Sequence, residues 1–566
     1  MPILRAATFS ARACLQGYDP AITADVPESR PPGAVAHREG GLLAPPPRSG
    51  GEEALAAAPA LLAAAVLVVL WLLVDPHTPD LAAQVYRVGL FKTNGLAVWD
   101  EHWYAGHHLP GYSLLFPPLG AWLGVRAAGA LCALASTALF AVLLGDRYGR
   151  GARWGGGAFA VAAVGDIWLG RLAFALGVSL ALAAVLSYER GHPLPAALLA
   201  ALAAAASPVA GLLLGLAALT GALHARSPRA LLVLGVPAAA VVLPLSALFP
   251  EGGTEPFPIL SFLATAAVVA AFITAAPRED RLLRIAGPLY LLACLFCLLI
   301  PTPVGSNIER YGVLLAAPLL LAARPRLGLA GGLALAAIAV WVLWGPVRET
   351  AAVDGNAATS ASYYEPVERF LAGIGGGPVR LEVPLTRSHW EAALLAPKVS
   401  LARGWEKQLD DRYDAVLLGG HLTAARYRRW LDHEAISYVA LPDVGLDPSS
   451  AAEGRLIRAG LPYLEPVFRS RHWRIFAVRE PTPLVSGPAR LTALGHDSFS
   501  LRASAAGTIE VRIHDTRYWT LTAGRGCVGG GPEGFTEVRA AAPGAITVAA
   551  RFSLSRAFGS GASCSS

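Results

Sequence analysis

From Ala54 to Trp344 the sequence returns repeatedly to windows of about 20 apolar residues, enough helix to cross roughly 30 Å of hydrocarbon. After Trp344 the windows stop. Such a chain has little choice in its first part, because lipid offers no partner to backbone N–H and C=O groups. Each segment must satisfy its own, and a helix does so. The apolar segments read as about eleven spans, at 54–74, 119–144, 154–169, 172–188, 194–208, 210–224, 230–249, 257–276, 283–300, 311–323 and 328–345. Residues 1–52, rich in Pro, Gly and Arg without periodicity, are expected to form a disordered cytoplasmic tail and have no signal-peptide pattern. The expected organisation is then 53–345 as a membrane domain, 346–480 as a mixed α/β domain and 481–566 as a β-sandwich-like domain. The α/β expectation rests on short helical patterns between runs such as Ile436-Ser-Tyr-Val-Ala-Leu441 and Trp473-Arg-Ile-Phe-Ala-Val478. The sandwich rests on period-two runs between Gly/Pro turns, as in Gly507-Thr-Ile-Glu-Val-Arg-Ile513.

The net charge of +6 is no nucleic-acid signal, because the arginines sit in short loops between spans. With the N-terminus cytoplasmic, eleven arginines from Arg147 to Arg326 fall on the cytoplasmic side, against Arg87, Lys92, Arg171 and Arg310 outside. The positive-inside rule therefore places the 75–118 loop and the whole C-terminal region outside the cytoplasm. Three lysines (Lys92, Lys398, Lys407) beside abundant Ala, Gly and Arg fit GC-rich bacterial coding, hence a bacterial plasma membrane. Cys527 and Cys564 lie where a disulfide can persist, whereas the Cys294/Cys297 pair sits within an apolar span and reads as two small hydrophobes.

Against this background one loop stands out: Trp99-Asp-Glu-His-Trp-Tyr-Ala-Gly-His-His-Leu-Pro-Gly-Tyr-Ser-Leu-Leu-Phe-Pro-Pro118. Asp100 and Glu101 are neighbours and point apart, so one of them is the candidate general base. His102, His107 and His108 can assist it or bind substrate. Asp100, Glu101 and His107 can also complete a site for a divalent metal such as Mg or Mn, although the spacing matches no zinc motif. The competing account is an interfacial aromatic belt with solvated polar neighbours.

Outside the loop, Arg171 and Arg310 fall on the same side and offer donor forks suited to a lipid phosphate. Asp166 is the one deep carboxylate candidate, and it can simply pair with Arg171. Trp390 and Trp405, flanked by Glu391, Arg403, Glu406 and Asp410, are candidates to stack on sugar rings; a packed core Trp is the alternative. No P-loop, GxSxG, HExxH or GxGxxG pattern is present, which argues against a cytoplasmic nucleotide donor.

An early external loop with an acidic pair, about eleven spans and a large exported C-terminal region resemble the GT-C class of membrane glycosyltransferases. The stretch Trp103-Tyr-Ala-Gly-His-His-Leu-Pro-Gly-Tyr112 followed by Phe116-Pro-Pro-Leu119 is similar to the early loop of bacterial membrane proteins labelled 6-pyruvoyl-tetrahydropterin-synthase-related. The resemblance covers roughly 54–345 in architecture and short motifs in residues. It implies a GT-C-like fold and inverting transfer of a hexose or pentose from a polyprenyl-phosphate sugar to an envelope glycan or lipid acceptor, as in actinomycete arabinofuranosyltransferases. It also implies that Asp100 or Glu101 is the base or a metal ligand; the His/Trp-rich continuation and the lack of a DxD pattern depart from the commonest members. The expected partners are polyprenyl-phosphate sugar, envelope glycan and membrane lipids, with no nucleic acid. Two other readings carry different signatures. A transporter or flippase of lipid-linked sugars needs a polar path through the spans, and a non-catalytic envelope scaffold needs only an anchor.

Overall fold

The computed structural model describes residues 50–323, 328–558 and 564. The tail expected over 1–52 lies almost wholly outside the described residues. Helix α1 (Gly50–Val74) leads into an amphipathic α2 (Pro79–Asn94), a two-residue antiparallel pair β1 (Trp99–Asp100) and β2 (His107–His108), and a short α3 (Phe116–Leu123). Helices α4 (Val125–Tyr148), α5 (Ala152–Trp168), α6 (Leu172–Glu189), α7 (Pro193–Ala206), α8 (Pro208–Ala225) and α9 (Val236–Leu248) follow. The bundle closes with α10 (Ile259–Ala275), α11 (Arg281–Leu299), α12 (Glu309–Ala323) and α13 (Leu329–Val353).

Among the described residues, seven helical segments are long and apolar enough to cross a membrane; one of them, Val125–Trp168, contains both α4 and α5. The expected count of eleven is not reached on that criterion. Helices α7 and α10 are apolar but have 14 and 17 residues, and 14 residues rise only about 21 Å. Leu73, Leu243, Leu299 and Val340 stand exposed on these helices, the pattern of a bundle whose solvent is lipid. Punctuation between spans is chemical: Ser207 caps α8 through its side chain, with Pro208 opening that helix.

Beyond α13, helix α14 (Ala361–Ala372) precedes a five-stranded sheet of order β4-β3-β5-β7-β6. Its strands are β3 (Arg380–Glu382), β4 (Ser400–Leu401), β5 (Ile436–Pro442), β6 (Leu464–Arg469) and β7 (Trp473–Val478). The β3–β4 and β3–β5 pairs are parallel and the other two antiparallel. Eight further strands form two four-stranded antiparallel sheets. One runs β12 (Trp519–Ala523), β15 (Gly544–Ala550), β10 (Ser498–Ala503), β9 (Ala489–Leu494). The other runs β13 (Gly526–Gly530), β14 (Phe535–Ala540), β11 (Gly507–His514), β8 (Val485–Ser486). A disulfide joins Cys527 of β13 to Cys564, while Cys294 and Cys297 are free and buried in α11.

The apolar core is continuous across these parts. Trp71, Tyr86 and Ile167 of the helices belong to one buried cluster with Trp103, Tyr364, Leu381 and Trp473. Trp99 instead enters the core of the paired sheets with Trp519 and Phe499. Two tryptophans four residues apart thus anchor the early loop in two different cores.

Candidate active site

The β1–β2 hairpin turns through Tyr104 (φ 55°), Ala105 (φ 53°) and Gly106 (φ 113°), three consecutive left-handed residues. Only glycine fits the third, since a Cβ there would lie 2.3 Å from the Trp99 ring. The strain is held by contacts made elsewhere: His514 N donates to Ala105 O at 2.7 Å, and Tyr104 Oη donates to Glu406 O at 3.2 Å.

These contacts show what the loop's polar residues do, and they correct the expectation that its acids face a substrate. Asp100 is fully buried. Its carboxylate accepts from Tyr86 Oη at 2.8 Å and from His102 N at 3.2 Å, and His496 Nδ1 lies 3.0 Å away. Burial pushes the Asp100 carboxyl up, but the His496 hydrogen bond and the nearby His107, His496 and His102 outweigh it and hold the group below its ordinary value. Glu101 points the other way, with Oε1 3.2 Å from Arg380 Nη2. There burial wins over the arginine and pushes the carboxyl up to about 8, so Glu101 keeps its proton at neutral pH. The two acids do point apart, but both point into protein.

The histidines are clamps as well. His102 Nδ1 lies 2.5 Å from Ala396 O, His107 Nδ1 3.2 Å from Asp100 O, and His108 is bound to Glu251 and, through Nε2 at 2.9 Å, to Thr516 Oγ1. Burial pushes His102 down to about 4. Among the described residues, no three His, Cys, Asp or Glu groups are arranged to hold a metal ion. The suggested set of Asp100, Glu101 and His107 is not assembled, because Glu101 turns to Arg380. Trp390 is buried too, donating to His77 O at 3.0 Å, and offers no open ring face to a sugar.

A different group of residues forms a partly open polar site where the helices meet the C-terminal region. Thr78-Pro79-Asp80 opens α2, placing the Asp80 carboxylate in the first turn, where the helix dipole favours negative charge. Asp80 Oδ2 lies 3.4 Å from Arg171 Nε, and its Oδ1 accepts from Trp405 Nε1 at 3.0 Å. Arg171 Nη1 is also 3.7 Å from Asp166 Oδ1. Asp80 and Arg171 keep 31% and 29% of their side-chain surface exposed, against 6% for Asp166, so Asp80 is the acid a substrate can reach. The α5–α6 turn that carries Arg171 packs on the start of α2 through Gly170 (φ +87°), where a Cβ would meet Leu81 N at 2.2 Å.

Arg310, Arg87 and Tyr112 complete the group. Arg310 bonds Asn307 Oδ1 at 2.5 Å and lies within electrostatic range of Arg171, Asp166, Asp80 and Tyr112. Arg87 is buried, stacked 3.8 Å over the Tyr112 ring and bonded to Glu406 Oε2 at 2.5 Å. Arg87 Nε and Nη1 and Arg310 Nε find no partner in the protein. Those three nitrogens are buried, so the guanidinium that an anionic group can reach is the partly exposed Arg171 beside Asp80, with the Arg87 and Arg310 charges behind it. The structure therefore brings Arg171, Arg310 and Trp405 together, as candidates with one address, and leaves Asp100, Glu101, the three histidines and Trp390 elsewhere. Sequence reasoning missed Asp80 and Arg87 as site residues and took Tyr112 only as part of the aromatic-rich loop, whereas Glu406 was already a candidate beside Trp405. The signal for Asp80 was present: Thr-Pro-Asp is a helix-start pattern directly after a span.

No family model matches the sequence, and no curated protein matches it. Among solved structures the chain is similar to the arabinofuranosyltransferase AftD from Mycobacteria in two classes of an R1389S mutant. One has 14% identity and TM-score 0.41, covering 89% of this chain and 60% of that one. The other has 19% identity and TM-score 0.40, covering 79% and 42%. It is also similar to ArnT from Cupriavidus metallidurans bound to undecaprenyl phosphate, at 16% identity and TM-score 0.40, covering 76% and 98%. The likeness is one of outline. The chain spans at most 60% of the AftD chains, and function must be argued from the site.

Protonation also marks the C-terminal region. Arg403 is ringed by buried carboxyls, with Asp410 at 3.3 Å, Glu453 at 3.7 Å and Asp414 at 3.9 Å. Burial raises these three and Glu382, against the pull of Arg403. A carboxyl raised in the folded state stabilises at low pH and loses that contribution as pH rises through its folded value. His102 and His514, both depressed to about 4 by burial, act in the opposite sense only below the ordinary histidine value. Above pH ~6.5 the raised carboxyls remain, together with His433, which its hydrogen bond to Glu434 holds above the ordinary histidine value. With Glu101 raised to about 8 among these groups, the apparent Tm of the protein in detergent should fall as pH rises from ~6.5 through ~8; a flat or rising Tm over that range contradicts this assignment.

Proposed function

We propose that this chain is a membrane glycosyltransferase that moves a sugar from a polyprenyl-phosphate donor to a hydroxyl of an envelope glycan or lipid. The observation that carries this is the half-exposed Asp80 carboxylate, bracketed by Arg171 and within range of Arg310. Asp80 takes the proton of the acceptor hydroxyl as its oxygen bonds the anomeric carbon. The bond from that carbon to the donor phosphate oxygen breaks, and the polyprenyl phosphate leaves with charge matched by Arg171 and Arg310. Attack opposite the leaving group inverts the anomeric centre. The GT-C resemblance of the early loop supports the same reaction class. The loop arginines and the Cys527–Cys564 disulfide support an N-terminus in the cytoplasm and a C-terminal region outside it, at a bacterial plasma membrane.

The test is transfer in membranes supplied with radiolabelled polyprenyl-phosphate pentose or hexose. The wild-type chain should label an endogenous acceptor. Arg310→Gln should raise the half-saturating donor concentration about ten-fold or more, the worth of one charge-assisted contact. No transfer from any such donor, or an unchanged donor requirement in both Arg310→Gln and Arg171→Gln, overturns the proposal.

A further inference from the structure

A shallow groove of about 630 Å³ opens on the C-terminal region beside the end of α13, a volume within the ~300–1,000 Å³ usual for small-molecule sites. Its walls include Asn356, Arg387, Asp443 and His472, over a floor with Val444 and Leu446. None of these residues belongs to the site around Asp80. We propose that the groove is a subsite for a neutral oligosaccharide, the acceptor glycan of the transfer proposed above, and the assignment of that glycan as acceptor rests on that reading.

Three observations carry the assignment. The first is charge. Arg387 lies 3.9 Å from the Asp447 carboxylate, just behind the lining, while Asp443 lines the same groove with His472 Nδ1 held 2.9 Å from its Oδ2. One permanent cation against two carboxylates disfavours phosphate and fits an uncharged ligand that both donates and accepts. Vicinal sugar hydroxyls do both, and the Val444 and Leu446 floor suits the C–H face of a sugar ring. The second is preorganisation. Arg387 N donates to Gly445 O at 2.9 Å and Asp447 N donates to Leu385 O at 2.8 Å, so backbone pairing fixes the two walls. Tyr363 Oη, donating at 2.8 Å, orients Asp443. Asp443 has one partner on each oxygen and keeps acceptor capacity on both, whereas Asp447 Oδ1 is filled by Ser449 N and Oγ. Among the described residues Arg387 makes one ionic contact, the long one to Asp447.

The third is connection to the site. Asp447 Oδ2 lies 3.4 Å from His389 Nε2, and the His389 ring stacks on Trp405 with centroids 3.6 Å apart. Trp405 in turn donates to Asp80. His389 is buried and holds a left-handed backbone (φ 57°), a strained conformation for a residue with a side chain. The groove and the proposed base are thus linked by a relay of three packed side chains, Asp447, His389 and Trp405.

The experiment is saturation-transfer NMR on the full chain in detergent, with arabinotriose and galactotriose as probes and inorganic phosphate as competitor. At least one trisaccharide should receive saturation. Arg387→Gln, at a partly exposed residue with one long ionic contact, should weaken that binding about ten-fold, and Asp443→Asn should weaken it in the same direction. Asp80→Asn should leave it unchanged, and phosphate should not compete. No saturation of either trisaccharide, equal binding by Arg387→Gln, or displacement by phosphate overturns the subsite. Binding needs no donor, so a chain that binds the trisaccharide in the groove yet transfers nothing defeats the transferase reading alone. A chain that transfers without binding either probe defeats the subsite alone.

Discussion

Asp80→Asn is expected to lower the rate of sugar transfer by about 10²–10⁴, the usual worth of a positioned general base. The substitution is nearly isosteric. Its amide oxygen can still accept from Trp405 Nε1, so the start of α2 and its packing against the α5–α6 turn should survive, and Tm should move little. What is lost is the capacity to take a proton and the charge facing Arg171. Asp100→Asn makes the opposite forecast. That carboxylate is buried and accepts from Tyr86 and His102 N beside His496, so neutralising it should depress Tm, with any change in rate following the loss of folded protein. Initial rates and thermal unfolding measured on both variants decide between the two acids. If Asp80→Asn transfers normally while Asp100→Asn folds normally and is inactive, the base belongs in the loop after all.

Arg380→Ala is expected to be among the most destabilising single substitutions in the C-terminal region, by about 3–5 kcal/mol, because it strips several buried acceptors of their donor at about 1–3 kcal/mol each. The guanidinium is fully buried and donates to Glu434 O at 2.7 Å and Arg512 O at 2.8 Å as well as to Glu101. Alanine would leave two carbonyls and a carboxyl without a donor. Glu101→Gln, across the same contact, is expected to cost within about 1 kcal/mol. The reason is protonation: with its carboxyl pushed up to about 8, Glu101 is already neutral near pH 7, and a glutamine reproduces its size and its acceptor. Apparent Tm values of the two variants in detergent check the asymmetry. A Glu101→Gln loss as large as that of Arg380→Ala would show that Glu101 is ionised in the folded protein.

The apolar windows announced the helices because lipid permits so few residue types, and the period-two runs announced strands because each face must alternate. Ile436–Pro442, Trp473–Val478 and Gly507–His514 are strands where alternation and β-branched residues read as strands. Span lengths were harder to read, since α7 and α10 are apolar along their length yet shorter than the windows drawn around them. The site was legible in part. Arg171 and Arg310 declared themselves by being charged at span ends, which is expensive anywhere but at a function or an ion pair. Asp80 did not, because an acid in the first turn of a helix has an ordinary structural use. The Asp100–His108 cluster misled for a physical reason: a loop gripped on all sides by other domains needs as many polar side chains as a loop that performs chemistry. Only the partners tell the two apart, and His496, Arg380 and Ala396 lie hundreds of residues away in sequence.

That distance bears on how the protein is made. The hairpin around Asp100 is synthesised early, yet its partners arrive much later: Ala396 is 294 residues downstream of His102, and Thr516 is 408 downstream of His108. Contacts this remote close slowly, and until they close, the left-handed turn at Tyr104–Gly106 has nothing to hold it. The folded hairpin therefore depends on residues from the far end of the C-terminal region. A chain cut short before His496 or Thr516 keeps its helices but leaves an acid, three imidazoles and two large indoles uncovered at the membrane surface, a form that quality-control proteases can recognise.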